Sequence, residues 1–401
     1  MTEYPIWLTD RSRHMTGLSH CEMARFIQYY ALDGGIVRRG SSIPLSTGTA
    51  VHDALARILQ GESVDQAVET AKEEYRKVVN ESGILDMDEP EELTHTVLEQ
   101  SWLTEVLVRG WHKTMYPILM DQFEIVCVEQ EELLDIELPD VTIRLMSRPD
   151  FIARNKQSGA LTVHDFKTTA SLNESYIEQW RSSVQRMAGV ISAEKRLGEP
   201  ISHFYIHALV KGDRRADYNP ESHGWDGPKR QTSPLCYAWY APPVPPLSEG
   251  GWAFKKRYKT ESGKYKMLGK EYERFPVWEK LTGKQWIELL EPQDLYEFFA
   301  MIGPFERVQW KIDQFLRSLA TEEDTWWRKI EGLSRLSTQW SGEVYQSYID
   351  SNFSRSYDCF PWGRRCQFWD ICNYRAGVWQ DPIGSGFYKQ REPHHQEEMD
   401  E

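Results

Sequence analysis

Two aspartates and a lysine on either side of a short turn are the residues whose types and spacing most directly suggest chemistry. The stretch SRPDFIARNKQSGALTVHDFKTT, residues 147–169, contains Asp150, Asp165 and Lys167. Because side chains alternate between the two faces of a β-strand, Asp165 and Lys167 are predicted to point the same way. If the segments flanking the NKQSG turn pair as a hairpin, Asp150 comes near Asp165.

This arrangement suggests a metal site. Two carboxylates held close together repel each other and need a cation between them. Oxygen ligands with room for water favour Mg²⁺ or Mn²⁺, which can activate a water molecule and stabilise charge on a phosphoryl oxygen. A neighbouring lysine can stabilise the anionic transition state or position the water. The triplet therefore suggests metal-assisted phosphodiester hydrolysis, although an Asp-x-Lys sequence also fits an ordinary charged surface hairpin.

Three further polar residues lie on predicted helices near this segment. Arg181 and Gln185 are four residues apart in a predicted helix and share one face, from which they could contact water, Lys167 or a phosphate. His52, in GTAVHDAL, lies beside the apolar stripe of an earlier helix. Taken alone, such a histidine fits a core residue as well as a metal ligand.

Four of the six cysteines form a second candidate site. Cys359, Cys366 and Cys372 have six and five residues between them, and Cys21 lies alone near the other end of the chain. In a reducing compartment this pattern indicates a metal or cluster rather than disulfides. Thiolates suit Zn²⁺ or an iron–sulfur cluster, and these gaps are longer than the usual zinc spacing. Free buried thiols are the alternative.

The elements that must position these residues follow from the periodicity. The first third is predicted to be helical, followed by the strands FEIVCVEQEELLDIEL, VTIRLMSRPDFIARN and ALTVHDFKTT. A helix from SLNES to EKRLG begins at a Ser171-x-x-Glu174 capping box, and ISHFYIHALV and SPLCYAWYA are further strands. Residues 286–352 are predicted to be helical. This order predicts an α/β fold with one central mixed sheet flanked by helices.

The same patterns divide the chain into five predicted segments. A helical cap is expected to cover the sheet, and a basic, aromatic segment is expected to be an insertion in the chain. The segments are an N-terminal helical region with Cys21 and His52 (1–120), a core (121–211), the insertion (212–285), a helical region with the cysteine cluster (286–380) and an acidic, disordered tail (381–401).

Charge is unevenly distributed along the chain. The net charge of −14 argues against a general nucleic-acid coat, but residues 252–284 carry ten Lys and Arg against four Glu, interleaved with aromatics. Such a segment suits phosphate contact and base stacking, and equally a solvated hairpin with core aromatics. The candidate DNA-binding residues there are Lys255, Lys256, Arg257 and Tyr258.

No apolar run reaches the roughly 20 residues that span a bilayer, and the N-terminus lacks the layout of a secretory signal. A cytoplasmic protein with no membrane partner is expected.

In the order of these motifs the sequence resembles the RecB-like branch of the PD-(D/E)xK nucleases. The matching residues are Gly48 to His52, Arg148-Pro149-Asp150, Asp165-Phe166-Lys167 and Gln185. The resemblance implies a restriction-endonuclease-like core, a metal held by His52, Asp150, Asp165 and the carbonyl of Phe166, and Lys167 as catalytic lysine. The family's Gln-x-x-x-Tyr is absent. The residue four positions after Gln185 is Gly189, and the residue four positions after the competing Gln179 is Ser183.

One subgroup of that branch has a [4Fe–4S] cluster held by one cysteine before the nuclease core and three after it. The resemblance implies that Cys21, Cys359, Cys366 and Cys372 hold such a cluster, with structural Zn²⁺ as the alternative. Cys366 and Cys372 have the family's spacing, whereas the gap after Cys359 is six residues instead of two. The cluster would clip together segments more than three hundred residues apart.

The function that this resemblance implies is a metal-dependent DNA exonuclease acting on single-stranded or end-bearing DNA, in phage or CRISPR-linked processing, recombination or repair. The chain has no Gly-x-x-x-x-Gly-Lys-[Ser/Thr] motif, so unwinding would need a helicase, or another recombination or adaptation protein, as partner. A DNA-binding or scaffold protein of the same fold without cleavage is the alternative.

Overall fold

The structure is a computed structural model, and it describes residues 4–19, 21–39, 43–81, 90–211, 217–219, 224–226, 252–259, 265–275, 282–296, 298–336, 342–356, 359, 366–373 and 375–393. Only the backbone is described for 16–19, 43–46, 78–81, 90–99, 182, 184, 217–219, 224–226, 252–259, 265–275, 289, 294 and 375–376.

The described strands and helices follow one another in groups along the chain. The strands are β1 (Ile6–Asp10), β2 (Ile36–Arg38), β3 (Phe123–Val128), β4 (Glu132–Glu137), β5 (Thr142–Ser147), β6 (Phe151–Asn155), β7 (Leu161–Thr169), β8 (Ile201–Val210), β9 (Asp217–Asn219), β10 (Gly224–Asp226), β11 (Trp252–Lys259), β12 (Tyr265–Phe275), β13 (Phe299–Glu306) and β14 (Tyr388–Gln390). The helices are α1 (Arg11–Ser19), α2 (Glu22–Tyr29), α3 (Ile43–Leu59), α4 (Val64–Glu81), α5 (Pro90–Gln122), α6 (Glu174–Glu178), α7 (Val184–Leu197), α8 (Gly283–Leu289), α9 (Pro292–Leu295), α10 (Gln309–Ser334), α11 (Glu343–Asn352), α12 (Trp369–Asn373) and α13 (Arg375–Val378).

The predicted mixed sheet flanked by helices is confirmed. In the described part of the chain this sheet has the strand order β13-β8-β7-β6-β3, with β7 and β8 parallel and the other neighbours antiparallel. Phe151 and Phe166 on one face pack with α3 and α5. Val163 and Ile206 on the other face pack with α7 and α10. Burial of both faces explains the near-continuous apolar character of β8.

The expectation that all these strands share one sheet is wrong. β4 and β5 pair with β1 in a separate sheet of order β1-β5-β4 among the described residues. The predicted strand VTIRLMSRPDFIARN breaks at Arg148-Pro149 because a proline cannot donate to a strand ladder. The predicted strand FEIVCVEQEELLDIEL breaks at Glu129, whose φ is 51°. The chain therefore passes from one sheet to the other next to Asp150.

The single helix predicted after Thr169 is also wrong. A short α6, a 3₁₀ turn over Gln179–Ser182 and α7 replace it, since Ser183 is extended and caps α7 by accepting from the Arg186 N–H. The N-cap of α6 is Asn173, whose side chain accepts from the Tyr176 N–H, so the Ser171 capping box does not form. Arg181 and Gln185 therefore do not share one helix face.

Six of the described strands were not predicted from the sequence: β1, β2, β9, β10, β13 and β14, the last of which lies in the tail that was expected to be disordered and pairs with β2. β1 pairs in parallel with β5, from Ile6 opposite Thr142 to Asp10 opposite Met146. β13 lies within the region predicted to be helical and pairs antiparallel with β8. Its first residue, Phe299, contacts α5 so closely that a Cβ on Gly110 would lie 2.4 Å from the Phe299 ring. Pairing and packing with distant residues therefore specify this strand.

Residues from both ends of the chain form a second apolar core. α2 and β2 contribute Met23, Phe26 and Ile36, and the C-terminal third contributes Trp326 and Phe353 among others. The Met23 N–H donates to the Ser354 carbonyl at 3.1 Å. Segments more than three hundred residues apart are thus packed together.

Up to residue 275, the described parts of the insertion show only the backbone. β9 pairs with β10 and β11 with β12, each antiparallel. Lys255, Lys256, Arg257 and Tyr258 lie on β11, but their side chains, and the predicted strand SPLCYAWYA with Cys236, lie outside the described residues. Among the described helices, none has the length and apolar character needed to cross a bilayer.

A chain of neutral hydrogen bonds crosses the core behind β7. The Thr162 hydroxyl donates to the Ala153 carbonyl at 3.0 Å and can accept from His164 Nε2 at 2.8 Å. His164 Nδ1 can then accept from His207 Nε2 at 3.0 Å, and Trp111 Nε1 donates to His207 Nδ1 at 3.4 Å. Every donor in the series has an acceptor, so both histidines are satisfied only while they are uncharged.

These two histidines should make stability depend on pH. Burial lowers the pKa of His207 to about 3, and burial together with His207 lowers the pKa of His164 well below its ordinary value. The unfolded chain therefore binds protons below about pH 6.5 that the folded chain does not, so stability falls as the pH falls.

Between pH 7.5 and 5.5 the two histidines should remove about 3 kcal/mol of unfolding free energy. Urea unfolding of the wild type and of the double variant His164→Phe/His207→Phe at both pH values measures this. The variant is expected to be less stable at pH 7.5 but to lose about 3 kcal/mol less on acidification. Equal losses in the two proteins would contradict the prediction, and the subtraction cancels the contribution of other titrating groups.

Candidate active site

A cleft of about 680 Å³ opens where the two sheets meet. α1, α3, α7 and the segments after β3 and β5 form its walls. The lining residues include Arg11, Thr49, His52, Asp53, Arg57, Glu129, Arg148, Asp150, Lys167 and Gln185. Four of the residues predicted from the sequence, His52, Asp150, Lys167 and Gln185, thus face one cleft.

α3 places His52 in the cleft because it approaches β7 closely. A Cβ on Gly48 would lie only 3.2 Å from the Thr168 hydroxyl, so a glycine suits this contact. One turn later, His52 Nδ1 lies 3.5 Å from Asp150 Oδ2, and the His52 ring meets the Phe166 ring edge to face. The glycine and histidine of the motif therefore have distinct roles, in packing and in the site.

Asp150 lies in the connection between the two sheets and is almost fully buried, with 7% of its surface exposed. Its Oδ2 accepts a short hydrogen bond from the Phe166 N–H. Burial opposes ionisation, but His52, Lys167 and this N–H together hold the pKa of Asp150 well below its usual range. Asp150 is therefore a fixed anion.

Asp165 and Lys167 lie on the same face of β7, as the alternation predicted. The Lys167 ammonium forms an ion pair with Asp165 Oδ2 and donates to the Phe166 carbonyl at 2.9 Å. Burial, together with Asp150, raises the pKa of Asp165 in spite of Lys167. The two aspartates therefore share a site with too little positive charge for both.

Glu129 is a third carboxylate of this cleft, and it was not identified from the sequence. Its N–H donates to the Asp150 carbonyl at 2.8 Å, and its side chain forms an ion pair with Arg148 at 3.1 Å. Burial and the neighbouring Asp150 raise the pKa of Glu129 to about 7, against the effect of Arg148. It is one of several acidic residues in CVEQEELLD, and its left-handed backbone gives no sequence signal.

Of the polar residues predicted after β7, one faces the cleft. Gln185 lines it from the first turn of α7. Arg181 is 62% exposed and pairs with Glu178, and the Gln179 amide donates to the Tyr176 carbonyl. Gln185 is thus the glutamine that the fold brings to the site. Arg11 and Arg57, also in the cleft, were not identified from the sequence.

The four cysteines of the second candidate site come from both ends of the chain. The Cys366 N–H donates to the Cys359 carbonyl at 2.8 Å, and Cys21 Sγ accepts from the Ser356 N–H at 3.4 Å. Burial, with a smaller contribution from the thiols of Cys21, Cys366 and Cys359, raises the pKa of Cys372 to about 11, against the effect of Arg355. These thiols therefore influence one another, while Cys127 lies elsewhere, half-buried beside Arg196.

The donor atoms at the cleft suit a divalent cation, since they are carboxylate oxygens with a carbonyl and an imidazole nearby. The Lys167 ammonium contacts both Asp165 and the Phe166 carbonyl and so supplies part of the positive charge that such a cation would bring. As they stand, however, the described His, Cys, Asp and Glu side chains include no group of three or more that could hold a metal ion.

The fold and the cleft define an α/β protein of restriction-endonuclease-like architecture. The sequence model of the PD-(D/E)XK nuclease superfamily matches residues 24–373, and the chain belongs to that superfamily. No curated protein matches the chain. The crystal structure of SSO0001 is similar at 14% sequence identity and a TM-score of 0.20, over 40% of this chain and 60% of that one.

Proposed function

We propose that this chain is a metal-dependent deoxyribonuclease, and more specifically an exonuclease acting on single-stranded or end-bearing DNA. Membership of the PD-(D/E)XK superfamily indicates a nuclease, and nucleases of this superfamily generally use Mg²⁺ or Mn²⁺. The observation that carries the proposal is the contact of Lys167 with both Asp165 and the Phe166 carbonyl, beside Asp150, in one cleft.

Each residue of the constellation has a proposed role. Asp150, Asp165, the Phe166 carbonyl and His52 would hold the cation, which supplies charge stabilisation at the phosphoryl oxygens when bound. Lys167 would stabilise the developing negative charge and orient the attacking water. Gln185 would contact the substrate or water from α7.

DNA contacts outside the cleft are a further part of the proposal. The basic, aromatic insertion, with Lys255, Lys256, Arg257 and Tyr258 on β11, would grip the strand by phosphate contact and stacking. Arg181 would contribute a phosphate contact from the surface. A helicase, or a recombination or adaptation protein of phage or CRISPR systems, would supply any unwinding.

End-labelled linear DNA, compared with internally labelled circles, tests this function. The protein, purified without oxygen, is incubated with linear single strands, linear duplexes and circular single strands, with Mn²⁺, Mg²⁺ or EDTA. Metal-dependent degradation of linear DNA with circles intact is the expected result, and the side of the label that yields mononucleotides gives the polarity. Cleavage of circles would contradict the exonuclease proposal. Intact DNA in every lane, with tight binding, would favour the non-cleaving scaffold instead.

The cysteine group is proposed to hold a [4Fe–4S] cluster. Two observations support this proposal. The thiols of Cys21, Cys359 and Cys366 lie close enough to Cys372 to raise its pKa, and both ends of the chain pack in one apolar core. Thiolate ligands suit a cluster or Zn²⁺, and a cluster would join the two ends covalently through its metal. Its proposed role is structural.

Replacing Cys372 with serine should remove the visible iron–sulfur absorbance and most of the bound iron and sulfide. It should also lower the unfolding temperature, because metal binding contributes to folding. Cys127→Ser is the matched control, since Cys127 is also half-buried but lies outside the group. Zinc in place of iron in the wild type would support the structural zinc alternative, and a metal-free folded protein would contradict both.

A further inference from the structure

An ion pair at the side of the cleft links two residues that the proposed reaction has not used. Arg148 Nε lies 3.1 Å from Glu129 Oε2, and both side chains line the cleft next to Asp150. The two side chains are 38% and 27% exposed, so water screens their attraction. Pairs of this kind contribute little to stability and are easily exchanged for other partners.

The backbone of Glu129, by contrast, is held tightly against a proposed cation ligand. Its N–H donates to the Asp150 carbonyl at 2.8 Å, and its φ of 51° is rarely adopted by a glutamate. Such backbone strain persists where the surroundings enforce it, and it is concentrated at functional sites. Only the side chain of Glu129 has to rotate for its carboxylate to change partner.

Charge gives that side chain a reason to rotate. Without a cation, Asp150, Asp165 and Glu129 face the basic groups of His52, Lys167 and Arg148. A divalent cation between the two aspartates adds positive charge close to Arg148 and Glu129. It therefore attracts the Glu129 carboxylate and repels the Arg148 guanidinium.

We infer that Glu129 and Arg148 are positioning residues that exchange partners when the site is loaded: Glu129 turns from Arg148 toward the cation, and Arg148, released, binds a DNA phosphate. The inference rests on the proposed function and deepens it. In the unloaded protein Glu129 restrains Arg148, so DNA binds less tightly. Cation and DNA then bind cooperatively, each strengthening the other by the same factor.

Affinities test the exchange without relying on cleavage. Mn²⁺ binding is measured by calorimetry, and binding of a fluorescent single strand is measured by anisotropy in EDTA and in Mn²⁺. All proteins carry Lys167→Met, which slows cleavage enough to measure binding, and all are compared at about pH 8.5, where this background binds Mn²⁺ best. The variants are Glu129→Gln, Arg148→Gln and the double variant. Glu199→Gln is the matched control, because Glu199 forms a 3.1 Å ion pair with Arg154 outside the cleft.

The expected pattern has opposite signs for the two ligands. Glu129→Gln should bind Mn²⁺ about tenfold more weakly but bind DNA in EDTA about fivefold more tightly, since a freed arginine gains a phosphate contact. Arg148→Gln should weaken DNA binding in Mn²⁺. Adding Mn²⁺ should raise the DNA affinity of both single variants and of the double variant by the same factor, which is smaller than in the parent. The reason is that each of the three variants breaks the coupling between Glu129 and Arg148. Glu199→Gln should match its parent.

Two results would overturn the exchange. One is a Glu129→Gln protein that binds metal-free DNA no more tightly than Glu199→Gln, and the other is unchanged Mn²⁺ affinity in Glu129→Gln. If Asp165→Ala abolishes Mn²⁺ binding while Glu129→Gln leaves it unchanged, only the exchange fails. If the wild-type protein binds neither Mn²⁺ nor, in EDTA, DNA, the proposed function fails with it.

Discussion

Replacing Lys167 with methionine is expected to lower the rate of DNA cleavage by about 10²- to 10³-fold, the usual effect of losing a group that stabilises developing negative charge. Methionine keeps the length and apolar stem of the side chain, which extends toward Trp180, with 5.7 Å between the ammonium and the ring centre. Single-turnover cleavage of an end-labelled single strand at saturating Mn²⁺ measures this rate, because product release does not affect it.

The same variant should still bind Mn²⁺, but its Mn²⁺ affinity should depend on pH more strongly than that of the wild type. Lys167 lowers the pKa of Asp165, in opposition to burial. Without the lysine the pKa of Asp165 rises further, so a proton competes more strongly with the cation. Compared with the wild type, the loss of Mn²⁺ affinity should therefore be largest near pH 7. It should become smaller toward about pH 8.5, because Asp165 loses its proton as the pH rises.

Lys156→Met is the control for this substitution. Its ammonium also donates to a backbone carbonyl, that of Met120, but it lies outside the cleft. It should cleave DNA at the wild-type rate. A Lys167→Met protein that loses Mn²⁺ binding at every pH would show that the lysine holds the site together rather than acting in the reaction. Undiminished cleavage would remove Lys167 from the catalytic group.

The sequence was sufficient for the centre of the site because local rules fix it. Strand alternation places Asp165 and Lys167 on one face whatever the rest of the chain does. The NKQSG turn fixes the β6–β7 hairpin, which brings Asp150 close. Helical periodicity places His52 one turn after Gly48, the residue that contacts β7.

The surroundings of the site were not predictable, because they depend on distant pairing. Glu129 enters the cleft only because its left-handed backbone ends β3 and the chain then changes sheets. Arg11 reaches the cleft because β1 pairs with β5, more than 130 residues away along the chain. Neither event leaves a periodic pattern in the sequence.

The second prediction with a large expected effect concerns Glu323, a fully buried carboxylate on α10. It accepts from Arg25 at 2.6 Å, from Trp7 Nε1 at 3.1 Å and from His14 Nδ1 at 2.9 Å. Burial opposes its ionisation, but Arg25 and His14 lower the pKa of Glu323 to about 2. One carboxylate thus accepts hydrogen bonds from three groups, on β1, α1 and α2.

Replacing Glu323 with alanine should lower the free energy of unfolding by about 3–5 kcal/mol, because the Arg25 guanidinium stays buried without its anion. Arg25 is 1% exposed and lies over the Trp326 ring at 4.3 Å, so it cannot easily turn to solvent. Urea unfolding near pH 7 measures the loss. Glu323→Gln, which keeps the shape and one acceptor, should cost about 1–3 kcal/mol.

Glu322→Ala is the control for the effect of a glutamate-to-alanine change on α10 itself, since it changes the neighbouring residue of the same helix without removing the hydrogen bonds to Glu323. Glu322 lies 3.7 Å from the other ring nitrogen of His14 and is 32% exposed, so its loss should cost about 1 kcal/mol or less. Equal losses in Glu322→Ala and Glu323→Ala would contradict the prediction. Because β1 ends at Asp10 in the cleft, Glu323→Ala should also speed amide exchange along β1, which joins the terminal core to the active site.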